Sequence, residues 1–481
     1  MTNQKRNILF VNHNWGGGTE KHVEDLVKCF REEDEFAIFL AKLTEDGIYI
    51  HEFLANGVTQ SYFFRYNLEI NPISSLIFKE PNTLFRLVCN IFKIDLIHFH
   101  HFLHTGNLFS VISPFEVPYV VTLHDYFSVC PTINLLNTKG VFCGACLPNS
   151  DQSDEYFGCM RKLKLAPKYL FEHRLLYLKV LKASKRIFIP SISMENYISK
   201  VFGSFPSLRV FEHGHEKLVK VDWTKSIFLP EKYGKKLKIL LLGNITDHKG
   251  LKILKGICSE KKVLNFCEFE LWGSTPSRIP NVIYRGNYTQ ETIHQILTEN
   301  QYDISLQLSI TAESFSYTIS ELVQNRIPVI CFNLGAQAER ILRYKAGWVI
   351  ESMDKNSLIL KLVELNQKRD QIDYVKKTMD VESLNSMAAM KSFYKKEYLE
   401  VMDGNLDETK LDNDFKISDV SGFLASASLE YKNKSSKFKS TLKFKILDGL
   451  KTLLKLCYFS LKAIHLKIVN RKSFIKGFRI V

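Results

Sequence analysis

The sequence predicts an α/β fold: two doubly wound parallel-sheet domains in series, then a helical C-terminal tail. Three observations lead there. Short, uninterrupted apolar runs alternate with helical stretches, the signature of parallel strands covered on both faces. That pattern restarts after Lys235–Lys238. The charge is divided: residues 432–481 hold fourteen Lys/Arg and one acid, Asp448, a local net of +13, whereas residues 1–431 hold 51 basic and 50 acidic side chains. The chain's net charge of +14 is therefore a property of its end, which argues against a body that grips nucleic acid.

The elements follow in order. Asn7–Asn12 (NILFVN) reads as a buried strand, and Gly16-Gly17-Gly18 as the turn after it. Val23, Leu26, Val27 and Phe30 then recur at helical spacing, with Thr19 as the expected N-cap. Phe36–Leu40, Asp95–Phe99, Tyr119–Leu123, Arg186–Pro190 and Leu208–Phe211 read as further strands of a first domain, 1–216. Lys217–Lys235 is polar and aperiodic, a linker. In the second domain, 236–383, Ile239–Leu242, Phe269–Trp272, Val282–Tyr284, Ile304–Leu308 and Pro328–Phe332 read as strands. Gly250–Ile257, Gln290–Thr298 and Tyr317–Gln324 read as helices. A closing helix is expected over 384–402. Residues 403–431 open with six acids and two lysines in 403–419, a solvated linker. No run of about 18 apolar residues suggests a spanning helix. Ile8–Val11 is too short an apolar run for a secretory leader, so a reducing, cytoplasmic setting is expected.

Four segments carry the chemistry. Gly16–Gly18 lies between a strand and a helix, where backbone N–H groups can approach a phosphate; a plain tight turn is the alternative. His124-Asp125 follows a strand end, where open α/β sheets bind ligands and an imidazole can act as acid, base or hydroxyl partner. Gly243-Asn244…Lys249-Gly250 sets a lysine at a strand–helix turn, where it can neutralise a diphosphate. Glu313–Glu321 (ESFSYTISE) spans a loop and a helix start. Its two carboxylates beside the amides of Ser316 and Tyr317 suit a ligand bearing both hydroxyls and phosphates, as a nucleotide sugar does.

On these residues, 7–400 resembles glycosyltransferase family 4, retaining enzymes of the GT-B architecture, in which two Rossmann-like domains face a cleft. Gly16–His22 looks like that family's glycine loop and Val120–Tyr126 like its histidine loop. Gly243–Gly250 resembles its phosphate turn. Glu313–Glu321, running on to Ile327–Ile330 and Gly335-Ala336, resembles its E-x7-E region. The resemblance implies catalytic roles for His124, Glu313 and Lys249. It implies donor binding by Gly17, Gly18, Gly243, Asn244, Lys249, Glu313, Phe315, Ser316, Tyr317 and Glu321. It further implies transfer of a hexose or deoxyhexose from a nucleotide sugar to a glycan acceptor, lipid-linked cell-envelope polysaccharide in particular, with no metal required for catalysis. Two departures stand out: Asn244 replaces the family's usual arginine, and Asn325-Arg326 stands where a glycine is usual. An epimerase or hydrolase of the same architecture, or a degenerate membrane scaffold, are the rival readings.

Cys130, Cys143, Cys146 and Cys159 form C-x12-C-x2-C-x12-C within an insertion at 126–160. The central pair has zinc-site spacing; structural zinc, free thiols and disulfides all remain open. The other six cysteines read as core residues. His98, His100, His101 and His104 suggest either a second metal site or, in the plainer reading, a polar strand end lining the cleft.

In 442–468, leucines and isoleucines recur at three- and four-residue spacing while most lysines fall elsewhere on the wheel. A basic amphipathic helix of this kind lies in the membrane interface. Docking on the body is the alternative, and the lack of an aromatic–basic platform argues against nucleic acid. The expected setting is the inner face of the cytoplasmic membrane. Deleting 432–481 should release the protein from anionic liposomes in a sedimentation assay and leave donor binding intact; persistent co-sedimentation would contradict the assignment.

Overall fold

The computed structural model describes residues 5–13, 15–44, 47–54, 59–65, 80–102, 117–146, 153–166, 168–216 and 235–404. The expected linker up to residue 234, the chain from 405 onward with its basic tail, His104 and Cys457 lie outside the described residues.

The first sheet contains β1 (Arg6–His13), β2 (Phe36–Leu43), β3 (Gly47–Phe53), β4 (Thr59–Arg65), β5 (Leu96–Phe99), β6 (Tyr119–Thr122), β7 (Arg186–Ile189) and β8 (Leu208–Val210). Its order is β4-β3-β2-β1-β5-β6-β7-β8. Ile8 to Val11 are fully buried, as expected of a central strand covered on both faces. The helices of this part are α1 (Gly17–Phe30), α2 (Glu80–Ile91), α3 (Ser153–Lys162), α4 (Tyr169–Ala183) and α5 (Ile192–Phe202).

The second sheet contains β9 (Leu237–Asn244), β10 (Cys267–Ser274), β11 (Val282–Gly286), β12 (Ile304–Gln307), β13 (Val329–Phe332) and β14 (Gly347–Ile350). It is parallel throughout, in the order β11-β10-β9-β12-β13-β14. Counted from β9 this is the 3-2-1-4-5-6 order of a doubly wound nucleotide fold. Its helices are α6 (Leu251–Cys258), α7 (Lys261–Leu264), α8 (Gln290–Asn300), α9 (Tyr317–Gln324), α10 (Gly335–Arg343), α11 (Lys355–Gln367) and α12 (Arg369–Thr378), with α13 (Met387–Met402) closing the described chain.

Both parallel sheets match the expected fold class, with three local corrections. First, β3 runs antiparallel to β2. Thr44 and Gly47 close a tight turn through reciprocal hydrogen bonds, and so short a connection can only reverse the chain. Second, Thr19 is not the N-cap. Gly16 and Gly17 adopt φ of 75° and 83°, so α1 starts at Gly17 and Thr19 is buried in its first turn. Third, the helix expected from Gly250 starts one residue later, at Leu251. A 3-10 turn, Asp247–Lys249, comes first, and Gly250 takes a left-handed φ of 80°. A Cβ there would lie 2.2 Å from the Leu308 carbonyl oxygen.

α13 is the element that returns from the second sheet to the first. Its Met390, Tyr394, Tyr398 and Val401 share one core with Phe10, Phe30 and Phe188. Burying each such ring stabilises the docking by roughly 2 kcal/mol. The Arg186 guanidinium, in β7, is fixed by Glu397 at 2.5 Å and Glu400 at 3.1 Å. Among the described residues no helix is long and apolar enough to cross a membrane.

Candidate active site

Ligands of doubly wound sheets bind beyond the strand ends, where the winding reverses. In the second sheet that point lies between β9 and β12. Gly243-Asn244 end β9, and Lys249 lies in the 3-10 turn just beyond it; Glu313 lies in the loop after β12. In the first sheet it lies between β1 and β5, followed by Gly16–Gly18 and His100 respectively. Topology thus delivers most of the sequence-predicted site to two facing loop sets.

On the second-sheet side, Lys249 Nζ is 3.6 Å from Glu313 Oε1. The Glu313 backbone is pinned by the Ala336 N–H, which donates to its carbonyl at 2.8 Å, and by a one-residue bridge to Gly335. Ser316 precedes α9 at φ 71°, ψ 92°, and its own side chain does not cap that helix. Its first amides have no intrahelical partner and form an anion-binding end. A serine held at positive φ carries about 1–3 kcal/mol of strain, so something must hold it there. That something is Arg340, fully buried. Its Nη1 donates to the Ser316 carbonyl at 2.8 Å and the Phe315 carbonyl at 3.3 Å, and its Nη2 donates to Ser320 Oγ at 2.8 Å. Phe315 is buried with the Arg340 guanidinium 4.0 Å over its ring, so its ring belongs to this packing and its backbone to the loop.

Glu321 hydrogen-bonds with the Tyr288 hydroxyl, the donor, at 3.1 Å. Burial pushes its carboxyl up, against the opposing pull of Tyr288 and Lys21. Asn244 is exposed at the strand end and accepts from Ser274 Oγ at 3.1 Å; it adds no positive charge there.

The first-sheet side meets these groups. Ser314 Oγ donates to the His124 carbonyl. A Cβ on Gly18 would lie 3.7 Å from the Tyr317 ring, and Lys21 Nζ sits 4.9 Å over that ring. Glu212, just past β8, pairs with Arg340 at 3.5 Å and Arg343 at 3.2 Å and accepts from the Tyr344 hydroxyl. Glu339 accepts from the Ser193 N–H at 2.7 Å, at the start of α5.

His22, His98, His100 and His213, all buried, and the half-buried His124 form one group of imidazoles. Burial, then mutual repulsion, holds each well below its ordinary value, so they are neutral near pH 7. His98 is bound by Tyr398 and Thr122 at 2.7 Å each, a structural role under α13. Asp125 hydrogen-bonds with His101 Nε2 at 2.7 Å. Burial pushes the Asp125 carboxyl up, but His101 and the Phe127 amide outweigh it and keep the carboxyl low. The sequence reading missed His22, His213, Tyr288 and Arg340 as site residues. Their signal is spatial only: each comes from a different element.

The cysteine insertion packs directly after this histidine loop. The Cys143 thiol hydrogen-bonds with Cys146, which lowers it to about 6, while the same bond and burial raise Cys146. Cys130 adjoins both electrostatically, as does Arg174 for Cys130 and Cys146. Cys159 Sγ is 4.0 Å from the Leu136 carbonyl oxygen. Among the described residues the group of three potential ligands whose atoms lie within 4.8 Å of one another is His22, His100 and His124, not the cysteines. Cys29, Cys89, Cys258, Cys267 and Cys331 are buried.

No protein-family model matches the sequence, and no curated protein matches it. Among solved structures, the chain is similar to sucrose-phosphate synthase from Thermosynechococcus elongatus, at 13% identity and TM-score 0.61, over 83% of this chain and 100% of that one. It is similar to Anabaena HepE in complex with UDP and glucose, at 13% identity and TM-score 0.52, over 81% and 98%. It is also similar to the catalytic domain of starch synthase IV from Arabidopsis thaliana, bound to ADP and acarbose, at 11% identity and TM-score 0.51, over 83% and 99%. This likeness establishes the fold: the chain has the GT-B architecture.

A carboxyl raised by folding contributes stability that is fully present below its unfolded value and is lost as pH rises through its folded value. Glu321→Gln removes that titration. Relative to this variant, the wild type should lose stability as pH rises above the ordinary glutamate value of 4.5, read as paired denaturant midpoints across pH; parallel profiles would show that Glu321 is not desolvated.

Proposed function

We propose that the chain is a retaining glycosyltransferase that moves a hexose or deoxyhexose from a nucleotide sugar to a glycan acceptor. The observation that carries the reading is the placement of Lys249 and Glu313, 3.6 Å apart, beside the uncapped start of α9, with the His124 loop bonded to the same segment through Ser314. The similar structures of HepE and starch synthase IV contain UDP and ADP, which supports a nucleoside diphosphate as the carrier here.

In this reading Lys249 and the amides of Ser316 and Tyr317 hold the diphosphate, with Gly17, Gly18 and Gly243 allowing close backbone approach. Glu313 orients the sugar hydroxyls, and Glu321 takes the ribose. His124, neutral, holds a hydroxyl of the transferred sugar. As the anomeric C–O bond to phosphate breaks, negative charge grows on the leaving oxygen, and fixed positive groups there lower the barrier. The acceptor hydroxyl attacks from the same face and passes its proton to the leaving phosphate, so configuration is retained. The Lys249 ammonium and the α9 amides supply the charge stabilisation of this step, and the reading requires no metal for it.

The proposal extends to the acceptor and the setting. The basic tail supports an anionic membrane surface at the inner face of the cytoplasmic membrane, and a lipid-linked envelope glycan fits that setting. A structural zinc on Cys130, Cys143, Cys146 and Cys159 would staple the insertion to the histidine loop. The hydrogen-bonded Cys143/Cys146 pair supports it, and the neighbouring Arg174 would offset the thiolate charge.

Glu313→Ala should abolish transfer, lowering turnover at least about 100-fold. A panel of UDP-, GDP- and dTDP-sugars should raise the wild-type melting temperature for one base. Free sugar or epimer formed without acceptor would replace this reading with a hydrolase or epimerase, and unchanged donor binding and cellular glycan in Glu313→Ala would leave only a scaffold. For the insertion, purified reduced protein should carry close to one zinc per chain and lose it in Cys143→Ser; under about 0.3 zinc per chain would end the zinc proposal.

A further inference from the structure

His22 comes from α1, His100 from the end of β5 and His124 from the end of β6. Their ring centroids lie 5.6, 5.1 and 5.6 Å apart for the pairs 22–100, 22–124 and 100–124. One ring nitrogen from each lies within 4.8 Å of the other two. The closest approach is His100 Nδ1 to His124 Nε2, at 3.3 Å. A tetrahedral zinc with bonds of about 2.0–2.1 Å sets its ligand nitrogens about 3.3–3.4 Å apart, and the imidazole centroids about 5 Å apart. The triangle is therefore close to the size of a three-histidine metal site.

The hydrogen-bond accounting agrees. Among the described residues His22 Nδ1 is buried with no partner, and an unpaired buried nitrogen calls for a physical reason. The other nitrogen of His22 hydrogen-bonds with the Tyr394 hydroxyl at 3.3 Å, the kind of outer contact that orients a ligating imidazole. His22 and His100 are buried and His124 is half-buried, so the three nitrogens converge at a partly enclosed point.

We propose that His22, His100 and His124 form a three-imidazole site for a divalent transition metal of the zinc class, and that occupancy inhibits the cleft's reaction by taking His124 from the sugar. Three nitrogen ligands leave a fourth position for water or an anion. The metal replaces the 3.3 Å contact between His100 and His124 without a large change in their spacing. The inhibitory half rests on the glycosyl-transfer reading; the binding half does not.

Cobalt(II) is the probe, added to the full-length protein. Binding should give four-coordinate visible absorption, and X-ray absorption at the cobalt edge should show a nitrogen/oxygen shell. That signal should be lost in His22→Ala and in His100→Ala, and kept in Cys143→Ser. A shell without nitrogen, no four-coordinate signal, or a signal unchanged in the histidine variants would overturn the site. The absorption measurement on wild type decides even where a variant fails to fold. Saturating nucleotide sugar should then weaken cobalt affinity at least about tenfold, equivalent to about 1.4 kcal/mol. Binding of both without competition would overturn the inhibitory half. Cobalt binding with no response to any nucleotide sugar would count against the glycosyl-transfer reading and leave the metal site standing.

Discussion

The buried Arg340 guanidinium is the contact on which the cleft's geometry depends. It is fully enclosed, and a charge so placed is tolerated only when paired and hydrogen-bonded. Its partners are the two carbonyls of Phe315 and Ser316, the Ser320 hydroxyl, and Glu212 from beyond β8. One planar fork thus holds a serine at positive φ, orients the start of α9, and ties the Phe315–Ser316 loop to the first sheet. Lysine offers neither the fork nor the weak hydration that permits such burial.

Desolvation then sorts the ionisable groups. Enclosure keeps the imidazoles neutral and raises Glu321. Where a partner is close, charge survives: Asp125 keeps its negative form beside His101. A set of neutral donors and acceptors for hydroxyls next to a placed cation and free helix amides for phosphate is the division a sugar phosphate needs. The same enclosure suits the proposed metal site, since neutral imidazoles are also metal ligands.

Particular elements show what could be read in advance. The apolar runs at Ile8–Val11, Tyr119–Leu123 and Ile239–Leu242 became central strands because nothing but parallel burial satisfies them. The reading of Glu313–Glu321 as loop then helix also holds, since Tyr317–Gln324 is helical. The failures are as specific. β3 was missed because GIYIHEF mixes apolar and polar residues without clear alternation, and its direction follows from the Thr44–Gly47 turn. Thr19 carries a capping side chain, but the left-handed glycines before it moved the helix start. Arg340 looks like any surface arginine in an amphipathic helix; only the packing of α10 against the Phe315 loop encloses it.

By itself, then, the sequence determined the two-sheet fold class, the strand ends on which Gly18, His124, Lys249 and Glu313 fall, and the concentration of charge in residues 432–481. Local periodicity and turn chemistry act within a few residues, and so they can be read along the chain. The tertiary structure alone decided which strand ends face one another, that His22, His100, His124 and His213 meet, that Arg340 pairs with Glu212, and that α13 returns to the first sheet. Those outcomes come from contacts between residues far apart in the chain, and from burial, which changes the charge state of a side chain without changing its letter.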